Sequence, residues 1–382
     1  MLEVRPDIQF IADLQQATGS QLTTCMQCGA CTAACSLSEE GNVFPRKQMI
    51  MAAWGMKDRL MADPHVWTCH QCGDCTLTCP RGVKPGEILA GLRRFQLSHY
   101  ASPVFLSRWL QDIRYLPLVV LFPAIIITAI LMLAGTYSLA GFTLPEGPVN
   151  YGAFFPHGWL NGSFTLLFAL SASAGIRGIS AYWKQMKSQP GAHSTRQRLT
   201  FRNYWKVIRR ILVHRDFNRC IVHKSRSLSH LLVFWGFILL LFVTFFAILS
   251  TIFFEYPLDL LDPIKIAGNI GALCLLTGSS LMILHRLTHT STLASGYADW
   301  FFLISFWLLT LSGILVEAAR FFQWGPAYLL YFGHLILVWI IILYFPYTKF
   351  AHFLYRTTAL LFMERQALAQ PGKINSVNEY AR

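Results

Sequence analysis

Beyond residue 115 the chain turns into long apolar runs, and these constrain its fold more than any other feature. The stretches Leu116–Ala140, Gly158–Tyr182, Leu228–Phe254, Ile264–Leu284, Trp300–Phe322 and Tyr328–Phe350 are each long enough for a helix to cross a hydrocarbon core of about 30 Å. In lipid only helices and closed barrels satisfy every backbone polar group, and unbroken runs of this length argue for helices. The second stretch carries Arg177 near its end, where the side chain can reach the interface. Charged residues make up only 13% of the sequence and the mean hydropathy is +0.43. Those values exclude an ordinary soluble enzyme and a disordered chain.

The net charge of +13 suggests nucleic acid at first sight. Its location argues otherwise, because the basic residues flank the apolar runs. The loop 183–227 carries twelve lysines and arginines, among them Lys184, Arg196, Arg209 and Arg226, against the single acid Asp216. Arg286, Lys349, Arg356 and Arg365 lie on the same predicted side, and the alternate loops are poor in basic residues. The positive-inside rule then places both termini in the cytoplasm. The opening sequence, MLEVRPDIQFIADLQQATGS, has no basic segment followed by an apolar one, so no secretory signal is expected. The expectation is a multi-pass protein of the cytoplasmic membrane that does not bind nucleic acid. Within the basic loop, residues 201–217 read as an amphipathic helix lying on the membrane surface.

Eight of the ten cysteines fall between Cys25 and Cys79. They form two near-identical blocks: Cys25-x2-Cys28-x2-Cys31-x3-Cys35, and Cys69-x2-Cys72-x2-Cys75-x3-Cys79-Pro80. A reducing cytoplasm disfavours disulfides. Zinc would want two cysteine pairs per ion rather than a doubled four-cysteine block. The spacing instead suits three thiolates on one 4Fe–4S cubane, with the fourth cysteine reaching the other cluster. The expected ligands are Cys25, Cys28, Cys31 and Cys79 for cluster one, and Cys69, Cys72, Cys75 and Cys35 for cluster two. Gly29 and Gly73 allow tight turns around the sulfurs. Between the blocks, Phe44–Leu60 reads as a helix with Met49, Ile50, Ala53, Trp54 and Met56 as candidate core.

Several of the twelve histidines fall near span ends, where they are costly unless paired or functional. His334 and His352 are 18 residues apart, about five helical turns, which sets both on one face of the last helix at a separation of about 27 Å. Pro346 lies between them and bends that helix. Two ligands at opposite membrane depths suit two stacked b-type haems. His230 is the expected partner of His352, with His223 as a rival. His157 is the outer histidine left to pair with His334. His285 and His289, an i,i+4 pair, read as interfacial residues or a metal site. Glu255, Glu317, Arg320, His285 and Asp299 lie at span ends where they could handle quinol protons or simply anchor helices.

The cysteine blocks resemble the small iron–sulfur subunit of heterodisulfide reductase. The segment His230-Leu-Leu-Val-Phe-Trp-Gly236, the Asp299-Trp300 pair, and His334 followed by Pro346-Tyr-Thr-Lys-Phe-Ala-His352 resemble the haem-b membrane subunits of heterodisulfide reductase and respiratory nitrate reductase. The nitrate reductase gamma subunit has a second histidine in the helix matching span three; Leu240 stands there in this chain. Fusion of the two halves resembles the C subunits of quinone-interacting membrane-bound oxidoreductase complexes of sulfate-reducing bacteria. The implied fold is mainly α: a helical two-cluster ferredoxin domain (1–110), a six-helix transmembrane haem-b bundle (111–355) and a cytoplasmic tail (356–382). The resemblance implies electron transport in sulfate respiration. Menaquinol is oxidised, and electrons pass through two haem b and two 4Fe–4S clusters to two soluble flavin and iron–sulfur subunits. Adenylylsulfate reductase is the implied acceptor beyond them. The alternative is a haem and iron–sulfur anchor without a quinone site. Neither a Rossmann fingerprint nor a Walker A loop occurs, so no nucleotide cofactor is expected.

Overall fold

The computed structural model describes residues 5–38, 42–138, 141–190, 199–213, 224–253, 259, 261–288 and 296–369. The cysteine-bearing half is built from short helices: α1 (Ile8–Thr18), α2 (Ala30–Ala33), α3 (Arg46–Ala53), α4 (Lys57–Met61), α5 (Asp74–Leu77), α6 (Pro85–His99) and α7 (Val104–Trp109). Asp7 starts α1 by accepting from the Phe10 amide at 2.8 Å, and Gly19 ends it in the left-handed region. The core joins Phe10 and Leu14 of α1 to Met49 and Ala52 of α3, Leu60 and Met61 of α4, and Ile88, Leu89 and Leu92 of α6.

The helix expected over 44–60 is two helices. Gly55 separates them with φ +61, and a Cβ there would stand 2.8 Å from the Asp7 backbone nitrogen and oxygen. The chain can turn beside Asp7 only without a side chain. This break rotates the core face: Met49, Met51 and Ala52 are buried, while Trp54 is 59% exposed.

The second half comprises α8 (Leu116–Leu133), α9 (Tyr151–Phe154), α10 (His157–Ser188), α11 (Phe201–Leu212), α12 (Lys224–Phe253), α13 (Pro263–Thr288), α14 (Tyr297–Phe321), α15 (Ala327–Tyr344) and α16 (His352–Ala369). Among the described residues, six helical segments are long and apolar enough to cross a membrane, so the chain is mainly α with a bundle of membrane type. The first is shorter than the apolar run suggests. It stops at Leu133, Gly135 takes φ +77, and Tyr137–Ser138 pairs antiparallel with Gly141–Phe142. Helices α12 and α13 approach closely because glycines face each other; a Cβ on Gly236 would lie 2.9 Å from the Gly271 carbonyl oxygen.

The two halves meet through aromatic side chains. Trp67, Leu97 and Tyr100 from the cysteine-bearing half are buried with Tyr182 and Met186 of α10 and Tyr355, Ala359 and Phe362 of α16. Trp67 stacks on Tyr355 at 5.2 Å. Residues expected as tail are thus helical to Ala369, and the first part of them is an element of this junction. The predicted surface helix, α11, presents Phe201, Tyr204, Trp205 and Ile208 outward. Its opposite side holds α16 through Lys206 and Glu364, 2.8 Å apart.

Candidate functional site

The cysteines form two separate groups, each lining a small cavity of its own. Cys25, Cys28, Cys31 and Cys79 line one, with Arg46 and Arg81. Cys35, Cys69, Cys72 and Cys75 line the other, with His70 and Gln71. Each block therefore gives three thiols to its own cavity and the fourth to its neighbour's. The local reason is a repeated backbone. Gln27 and Gly29 take φ +56 and +86, and Gln71 and Gly73 take +53 and +92. These left-handed residues curl each loop, and a four-residue helix, α2 or α5, then turns the last cysteine away.

The surroundings suit a cationic cluster. Burial is the leading cause that pushes the Cys35 thiol up to about 11 and the Cys75 thiol higher still, with neighbouring thiols adding to it. Converging thiolates need positive charge at their centre to coexist. The Arg46 Nε is buried without a hydrogen-bond partner beside the first cavity, a donor free for cluster sulfide. Among the described residues no three His, Cys, Asp or Glu side chains converge on a single metal ion.

The second cavity sits against the membrane-type half. Arg93 donates to the Cys69 carbonyl at 3.0 Å and to Gln71 Oε1 at 3.3 Å. Arg356, on the first turns of α16, donates to the Trp67 and Thr68 carbonyls at 3.1 and 3.3 Å. Its other nitrogen lies 3.3 Å from His70 Nε2. Beneath this contact Gln96, fully buried, donates to the Leu60, Met61 and Asp63 carbonyls. The Asp63 carboxylate is buried, which raises its pKa. Bonds from His65 and Gln48 outweigh that and hold it below its ordinary value.

His352 opens α16, one turn before Arg356. Its ring centre lies 6.2 Å from that of His230, with the planes at 83°. Two imidazoles on opposite sides of one metal, at metal–nitrogen distances of about 2.0 Å, have ring centres about 6 Å apart. His352 Nδ1 lies 2.8 Å from the Lys349 carbonyl, which leaves Nε2 as the ligating atom. Phe237 of α12 meets Phe350, two residues before His352, and Phe350 also meets Phe306 of α14. This spacing would let His230 and His352 share one metal centre, each through an imidazole nitrogen.

The continuous-helix expectation for His334 and His352 does not survive. Helix α15 ends at Tyr344, and two 3-10 turns, Phe345–Tyr347 and Lys349–Ala351, separate it from α16. Pro346 removes a backbone donor at this break. His334 turns to α14, where Nδ1 is 2.9 Å from Ser312 Oγ and the ring lies over Gly313. His157, at the start of α10, lies against Gly152 of α9. The neighbours of these two histidines therefore differ. His223, His289 and Glu255 fall outside the described residues. Asp299 caps α14 through the Gly296 amide and pairs with Lys349 at 2.9 Å. Glu317 pairs with Lys265 at 3.1 Å. Sequence alone assigns no site role to Gln27, Gln71 or Arg93, and marks Arg356 only as a basic residue four positions after His352.

Two family profiles match the chain. That of a 4Fe–4S dicluster domain covers residues 21–83, and that of citrate utilization protein B covers residues 111–372. Together they define an iron–sulfur electron-transfer protein joined to a helical bundle of membrane type. The chain belongs to the citrate utilization protein B family. It is 39% identical over 93 residues to a heterodisulfide reductase C-subunit-like protein of Archaeoglobus profundus, which covers 24% of this chain and 50% of that protein. It is 36% identical over 78 residues to the C subunit of the H(2):CoB-CoM heterodisulfide,ferredoxin reductase of Methanothermobacter thermautotrophicus, covering 20% and 42%. The chain thus spans about half the length of these curated relatives. Such relatives fit a fusion of the kind found in C subunits of quinone-interacting membrane-bound oxidoreductases. No solved structure matches it.

Proposed function

We propose that this chain is the membrane electron-transfer subunit of a quinone-dependent oxidoreductase complex, taking electrons from menaquinol and delivering them to soluble flavin and iron–sulfur subunits. One observation carries the reading: α16 holds His352 at its first residue and, one turn on, holds the second cysteine loop through Arg356, His70 and Trp67. One member of a histidine pair spaced for a metal and the loop of a four-thiol cavity are thereby held by the same helix.

In this reading Cys25, Cys28, Cys31 and Cys79 hold one 4Fe–4S cluster and Cys69, Cys72, Cys75 and Cys35 hold the other. His230 and His352 hold haem b. These groups supply one-electron carriers when bound. The chain's own residues do the positioning: Lys349 fixes the His352 ring, Gly236 and Gly271 let α12 lie close to α13, and Arg93 and Arg356 clamp the loop of Cys69. A second haem on His157 and His334 has less support, because these side chains address α9 and α14 respectively. The positive loop 183–227 supports an orientation with residues 1–110 and 356–382 in the cytoplasm and 111–355 in the inner membrane. Adenylylsulfate reductase remains the acceptor that the resemblance favours.

The test is a visible spectrum and a haem-to-iron ratio, before and after a reduced menaquinone analogue is added to the purified chain. Reduction of haem beside about eight cluster irons is the expected result. Haem that no quinol reduces would return the chain to the anchor reading. Two haems per chain would reinstate His157 and His334.

A further inference from the structure

The two cavities differ in which way they face. The second is lined by Gly86 and Leu89 of α6, and Arg356 of α16 reaches its His70. The first opens outward: Cys28 is exposed, Met26 in its lining is 66% exposed, and Leu77, two residues before the lining Cys79, is 67% exposed. Two of the residues lining it, Arg46 and Arg81, are cationic. Lys84, exposed, stands between the lining residues Val83 and Pro85. An apolar centre with a cationic rim is the usual build of a transient protein contact. The proposed function needs one such contact, since electrons that arrive beside the bundle have to leave at a surface.

We infer that the face around Cys28, formed by Met26, Leu77, Arg81 and Lys84, docks an acidic redox protein, and that electrons cross there through the first cysteine cavity. This rests on the clusters assigned above and adds the exit, its order and the partner's charge. The membrane-facing cavity of Cys69 comes first and the open cavity of Cys25 last. One electron crosses per encounter: this chain is oxidised by one, the partner's centre is reduced by one, and no bond or proton changes place. Electrostatic steering makes such an encounter faster at low salt. Met26 and Leu77 supply the apolar contact that holds the pair long enough for transfer.

The experiment uses the full-length chain, reduced by dithionite, with two one-electron acceptors of opposite charge: the acidic soluble domain of cytochrome b5 and basic cytochrome c. Rates are read by stopped flow as salt rises from about 20 to about 200 mM, over which screening shortens from about 20 Å to about 7 Å. The expected result is a rate to the acidic acceptor that falls about tenfold with salt, while the rate to cytochrome c stays flat or rises. Lys84→Glu together with Arg81→Glu should reverse this order, with iron content and the cluster spectrum checked first. If the double variant loses iron, Lys84→Glu alone serves; the change of slope on charge reversal carries the test, since the net charge of +13 by itself favours an acidic acceptor. Equal slopes for both acceptors, or slopes that the charge reversal leaves alone in a cluster-loaded protein, would overturn the inference. Absence of clusters from the wild-type chain would instead overturn the function on which it rests.

Discussion

The loops Cys25–Cys35 and Cys69–Cys79 place a glutamine and a glycine at the same left-handed positions and end in the same four-residue helix. Around that common backbone they diverge. The first opens to solvent beside Arg46 and Arg81. The second lies under α16, its Cys75 only 7% exposed, its loop carbonyls gripped by Arg93 and Arg356. Ligand geometry is therefore written locally, in a motif of eleven residues, whereas the part each loop plays is decided by distant segments that cover one and leave the other bare.

The strongest way to break this comparison is Cys35→Ser. The residue belongs to the first block in sequence and lines the second cavity in space. The variant should lose the membrane-facing cluster while the cluster of Cys25, Cys28, Cys31 and Cys79 persists, halving the iron from about eight to about four per chain. Metal analysis and low-temperature EPR read this; loss of the outward cluster instead would refute the crossed assignment. Next in size is His230→Leu, which should remove the haem absorption of the 6.2 Å pair. His334→Leu should leave that absorption in place.

Arg356→Gln sharpens the comparison without touching a ligand. It removes donors to Trp67, Thr68 and His70 and should cost about 2 kcal/mol, as a charged donor to buried carbonyls. Its mark is a slower haem-to-cluster step with unchanged iron. Asp63 gives a smaller effect with a definite pH sense. Its carboxyl is held below the ordinary value in the folded chain, so its contribution is fully present at neutral pH and fades only as the pH falls below the usual carboxylate range. Asp63→Asn should flatten that acid limb of a denaturation series. Gln27→Gly, at φ +56, should change stability least: relief of backbone strain offsets the lost bond to Cys25 Sγ, for a net effect under about 1 kcal/mol.

The cysteine spacing, the six apolar runs and the amphipathic stretch after Thr200 are visible in the sequence because each depends on residues close together in the chain. The proximity of His230 and His352 was reachable too, from depth and charge bias. What escaped depends on remote contacts. Gly55 breaks a helix because of Asp7, 48 positions earlier in sequence. His334 turns toward Ser312 because Gly313 leaves room for its ring. The helical arithmetic that aligns His334 with His352 fails at Pro346, which sits inside the first of two tight turns rather than in a bent helix. Helix α16 hides among ordinary tail residues, since its apolar face answers to Trp67 and Tyr182 rather than to any neighbour in the chain.

That remoteness has a consequence in time. The surface around Trp67 leaves the ribosome early, and Arg356, which closes over it, follows 289 residues later. At about 10 residues per second the delay is on the order of half a minute. Throughout it the loop of Cys69 stands open to whatever delivers iron and sulfide, and its aromatic surface stands open to chaperones. Completion of α16 shuts that window, so the separation of Trp67 and Arg356 in sequence sets how long the inner cavity stays open.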